Sequence, residues 1–252
     1  MANYDQERLH QTHLGARADM SIDAGLRSYM LSVYNYMAGA LALTGLVAYF
    51  TYSAAVVDTG SGLALTNFGN LLYASPLKWV VMLAPLAFIL VLSFGVHKLS
   101  LTATQLVFWT FAAVMGLSLS SIFLVYTGQS ITTTFFITAI AFGALSLYGY
   151  TTKRDLTGMG SFLFMGLIGI ILASVVNIFL QSSALQFAVS ILGVLIFAGL
   201  TAYDTQRIKG MYYEADSAVV AGKKAVMGAL SLYLDFINMF MFLLQFLGSQ
   251  RN

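Results

Sequence analysis

Two carboxylates in this chain stand where a carboxylate is expensive. Asp235 lies inside Val226–Gly248, VMGALSLYLDFINMFMFLLQFLG, a 23-residue apolar stretch. That is about the length a helix needs to cross a ~30 Å hydrocarbon core. A charge near its centre costs at least ~2.5–3.5 kcal/mol on insertion scales, so such a group faces protein or water. Asp204 lies in the last turns of the preceding apolar run, LIFAGLTAYDTQRIKG. Of the ten acidic residues, only these two fall within apolar spans. Two carboxylates brought together in low dielectric do not easily both ionise, and their protons leave in two steps that belong to the pair. Such a pair holds one proton between its helices near neutral pH, which makes a switch. Carboxylate and carbonyl oxygens also suit calcium, which takes six to eight oxygen ligands. Two acids are too few for a tight site, so Asp204 and Asp235 fit transient contact with a passing ion.

The elements that carry them are helices. Ser231, Asp235, Asn238 and Gln245 recur at i, i+4, i+7 and i+14, one polar stripe on an otherwise apolar helix. The chain is 59% apolar and 9% charged, with mean hydropathy +0.81. Soluble domains are nearer 25% charged. The net charge of +2 and the lack of a dense basic cluster argue against a nucleic-acid partner. With no cysteine, disulfides, thiolate metal sites and cysteine nucleophiles are excluded.

Residues 1–27 are polar and lack a signal-peptide core, so they read as a soluble tail. His10 and His13 in this tail are too few for a metal site. Residues 28–252 read as one membrane domain. Its apolar runs are about 29–50, 79–96, 106–126, 131–150, 162–180, 185–203 and 226–248, with a Gly/Ser/Thr/Asn-rich loop at 51–77. The fold class expected is all-α, with seven transmembrane helices. Basic residues orient them. With the N-terminus inside, the inner segments hold Arg8, Arg17, Arg27, Lys98, Lys153, Arg154, Arg207, Lys209, Lys223 and Lys224, and the outer ones only Lys78 and Arg251. This positive-inside bias places the C-terminus outside and both acids in the inner half.

AYDTQRIK followed by ALSLYLDFINMFMFLL resembles the two acidic signatures of the Bax inhibitor-1 family, also called the transmembrane Bax inhibitor motif family. TKRDL and SVVNIF are weaker matches, and the likeness is to a bacterial-type member. The resemblance implies a C-terminal helix at the centre, wrapped by the other six. It implies a pH-sensitive calcium leak in which the acids matching Asp204 and Asp235 form a hydrogen-bonded gate. It also implies an arginine near the inner end of the second helix. Here that region is GVHKLS, and His97 or Lys98 would supply the cation without arginine's bidentate fork. Ser231 and Asn238 are the expected supporting polar groups. The expected partners are the lipid bilayer and calcium as the transported ion, with no bound cofactor. The expected location is the bacterial inner membrane.

Other classes fit less well. The last span has no lysine for a retinal Schiff base. GxSxG, HExxH and P-loop patterns are missing, and Leu-Thr-Ala-Tyr precedes Asp204 where an intramembrane aspartyl protease has a GxGD-type segment. An enzyme is not expected. The alternative is a non-conducting regulator that binds another membrane protein, for example a membrane-embedded protease.

Overall fold

The computed structural model describes residues 23–60 and 62–251 in full and the backbone alone of 2–22. The side chains of His10 and His13 lie outside the described residues. Among the described residues, seven helices are long and apolar enough to cross a membrane. They are α1 (Ala2–Ala55), α2 (Leu77–Gly95), α3 (Leu101–Leu119, extended by the short helix Ile122–Val125), α4 (Gly128–Thr151), α5 (Thr157–Leu180), α6 (Ser183–Gly210) and α7 (Ala218–Leu247). The chain is a multi-pass integral membrane protein.

Local chemistry sets where these helices begin and end. Ser100, Thr127, Ser182 and Ser217 each accept a hydrogen bond from the backbone N–H three residues on, so α3, α4, α6 and α7 start with a capped N-terminus. α5 stops at Gln181, whose φ of 49° is left-handed, and Asn177 Oδ1 accepts from Ser182 N at 3.0 Å. The loop expected at 51–77 is more structured than its composition suggests. α1 runs on to Ala55, and Val56–Asp58 pairs antiparallel with Leu63–Leu65. Asp58 Oδ1 accepts from Gly60 N at 2.8 Å, and Gly60 takes the positive φ of the turn.

The core forms around α7. Its span is 67% buried, against 11–33% for the other six. It packs on α1, α3, α4 and α6, as its all-round apolar sequence requires. Leu232, Phe236, Met239 and Leu243 are all buried. Tyr233 shares a hydrogen bond with Thr44 of α1 at 2.8 Å and packs edge-on against Phe111 of α3 at 5.3 Å. Phe236 meets Phe135 and Phe142 of α4, each at 5.5 Å. Small residues allow close approach elsewhere: a Cβ on Gly149 of α4 would collide with the Ala202 carbonyl of α6. α2 and α5 are the least buried spans, at 11% each, and lie on the periphery.

Candidate functional site

α6 and α7 form an antiparallel hairpin, and its register decides which polar residues meet. A Cβ on Gly228 would crowd Ile208, Arg207 donates to Ser231 Oγ at 3.2 Å, and Ser190 donates to Gln245 Oε1 at 3.2 Å. Between these rungs Asp204 of α6 and Asp235 of α7 line the same cleft. Asp235 is 5% exposed, and no N–H or O–H donor from another residue reaches its Oδ2. Asp204 differs, because Arg207 Nη2, one turn along the same helix, lies 3.1 Å from its Oδ1. The guanidinium side chain is 47% exposed and the Asp204 side chain 13%. Arg207 is thus the cation nearest Asp204, at the mouth of the same cleft.

The pair borders a cleft of about 970 Å³. α6 and α7 form its back wall, with Asp204, Arg207, Ser231, Asp235 and Asn238. α5 forms the long side, and Ile89 of α2 is on its rim. Several residues on the α5 side, among them Phe164, Met165 and Ile178, are exposed, so the cleft opens sideways past α5. Ser231 accepts from Arg207, and Asn238 donates to the Leu234 carbonyl at 2.8 Å. Among the described residues no group of three or more His, Cys, Asp or Glu side chains is placed to hold a metal ion.

A family model described as inhibitor of apoptosis-promoting Bax1 matches residues 26–252. The chain belongs to the Bax inhibitor-1 family. A protein of Caulobacter vibrioides is 52% identical over 242 residues, covering 93% of this chain and 94% of its own. One from Rickettsia prowazekii is 49% identical over 92% and 94% of the two chains. The inner membrane protein YbhL of Escherichia coli K12 is 48% identical over 230 residues, 90% of this chain and 94% of its own.

In this Bax inhibitor-1 family protein His97 and Lys98 are exposed in the turn after α2 and do not line the cleft. The cation beside the acids is Arg207, a residue that the sequence reading counts only toward charge orientation. Its position three residues after Asp204 is the available signal, since i and i+3 share a helix face. The lysines at the same end do another job. Lys223, Lys209 and Lys224 donate to the Val96, Tyr150 and Met211 carbonyls, at 3.1, 2.8 and 3.0 Å, near the C-terminal ends of α2, α4 and α6.

Proposed function

We propose that this family member is a calcium leak of the bacterial inner membrane, closed by the Asp204–Asp235 pair and controlled by pH. The observation that carries the reading is two carboxyl groups from adjacent helices on the wall of one large cleft, one of them ion-paired to Arg207. The inner-membrane location of YbhL supports the same location here. The clustering of basic residues supports an inside N-terminus. Two carboxylates offer too few oxygens to hold calcium tightly, which suits passage.

The pair is strongest with one proton. Asp235 then donates, Asp204 accepts, and Arg207 neutralises the remaining charge. As pH falls through the lower step of the pair, Asp204 binds a proton and Arg207 loses its counter-charge. As pH rises through the upper step, Asp235 ionises in a buried place beside a like charge. Closed-state stability therefore falls on both sides, and flux passes through a minimum. Calcium entry into liposomes, followed as a function of pH, tests this. Asp235→Asn keeps a permanent amide donor, so its alkaline limb should vanish while the acid limb stays. Asp204→Asn leaves Arg207 unpaired at every pH, so its acid limb should vanish. If both variants keep the wild-type profile, the pair only holds helices together. Absence of flux in the wild type would favour the regulator of another membrane protein.

A further inference from the structure

Along α7, Asp235, Asn238, Phe242 and Gln245 follow one another at helical spacing, the first three lining the cleft and Phe242 the one apolar residue of the four. A second cavity of about 550 Å³ also borders that ring. Asn177, Gln181, Gln186 and Gln245 edge it at the end of the bundle where α5 turns into α6, with Ile178 and Val189 beside them. Gln181, Gln186 and Gln245 are exposed there. Phe242, Ser174 and Ile178 border both cavities. The ring of Phe242 is held in place. It stacks on Phe197 with centroids 5.9 Å apart, and it covers Gly193, where a Cβ would meet three ring carbons at 2.6 Å. Glycine leaves the notch that receives the ring.

We infer that Phe242 is an apolar plug, a second constriction in series with the carboxyl pair, separating the acid-lined cleft from the vestibule at the C-terminal end of α7. A hydrated cation does not cross a dry aromatic constriction, because nothing there replaces its water. Withdrawal of the ring from the Gly193 notch would join the acid-bearing cleft and the outer cavity into one path. The role of the plug in permeation rests on the leak reading above, but the barrier itself has a readout that needs no calcium.

The chain has no cysteine, so single cysteines report access cleanly. In sealed membranes, a charged, impermeant methanethiosulfonate is added from the side that carries the C-terminus. Gln245→Cys should react readily, and Asn238→Cys should react roughly tenfold more slowly or less, as expected behind a dewetted constriction. Phe242→Ala should bring Asn238→Cys close to the Gln245→Cys rate, while Phe242→Leu should leave it slow. If Phe242→Ala does not fold, Phe197→Ala, which removes the ring that Phe242 stacks on, should raise the same rate. Equal labelling of both cysteines with Phe242 intact overturns the plug, and so does an Asn238→Cys rate that ignores every ring variant. Calcium flux in liposomes separates the two ideas. Labelling that follows the ring without flux in any variant upholds the plug and sinks the leak. Flux with labelling indifferent to the ring upholds the leak and sinks the plug.

Discussion

The two faces of α7 meet different surroundings. One face carries Tyr233 and Phe236 into contact with α1, α3 and α4, and these side chains are at most 3% exposed. The other carries Ser231, Asp235 and Asn238 to the cleft beside α5. In a bilayer the lipid tails are as apolar as the core, so the packed face gains stability from close fit and hydrogen bonds. The cleft face lacks that close fit and keeps an acid pair that a tightly packed face would exclude. α2 and α5 have little buried surface to lose by moving. Stability belongs to the first face and responsiveness to the second.

The largest expected effect is therefore on the packed face. Phe236→Ala removes a ring held between Phe135 and Phe142 and should cost ~3 kcal/mol, the low end for such a truncation, because lipid offers the unfolded helix an apolar home too. A thermal unfolding midpoint in detergent would register it. Asp235→Asn, next in sequence but turned toward the cleft, should shift that midpoint little while altering the pH profile of flux. Similar losses of stability from both substitutions would erase the distinction between the faces.

A finer probe of the packed face is Tyr233→Phe. Its hydroxyl bonds Thr44 at 2.8 Å, and Thr44 also donates to the Ala112 carbonyl at 2.8 Å. The phenylalanine keeps the ring and loses one link between α7 and α1. Thr44 retains its carbonyl, so the cost should be about 0.6 kcal/mol, the mean for such bonds in membrane helices. Comparison with Thr44→Val and the double variant isolates the pair energy. A coupling near zero would mean that the ring alone holds this contact.

The spans and the central place of α7 were legible because each follows from one dominant cost. A charge in an apolar helix must face inward, and a helix apolar on all sides must be surrounded. Arg207 was less legible. In the sequence it is one more basic residue at a helix end, and its aim at Asp204 depends on a rotamer. Phe242 was harder still, because its neighbours on the stripe are polar and its role depends on Gly193, 49 residues earlier. The hairpin at 56–65 escaped notice because its strands are three residues each, too short for alternation to stand out.

The smallest effect concerns how α5, the loose wall of the cleft, is moored. Its base is held by Gln206 of α6, which accepts from Leu156 N at 2.9 Å and donates to the Arg154 carbonyl at 2.8 Å. Just beyond, Asp155 Oδ1 accepts from Thr157 Oγ1 at 2.6 Å and from Thr157 N at 2.9 Å. The Thr157 hydroxyl, and after it the Thr157 N–H, hold the Asp155 carboxyl below its usual range. A lowered carboxyl value means the folded state prefers the ionised form. The contribution is full above ~3.9, the value for free aspartate, and is lost as pH falls through the lower folded value. Asp155 is fully exposed, so solvent screens the gain and the global midpoint should barely move. Amide hydrogen exchange at Thr157 is the sensitive readout. Asp155→Ala should speed that exchange at neutral pH, and the excess over wild type, corrected for intrinsic rate, should vanish once pH drops below the folded value. An excess that persists at that acidity would show that the carboxylate charge does not moor α5. Gln206 would then hold the base of the cleft wall alone.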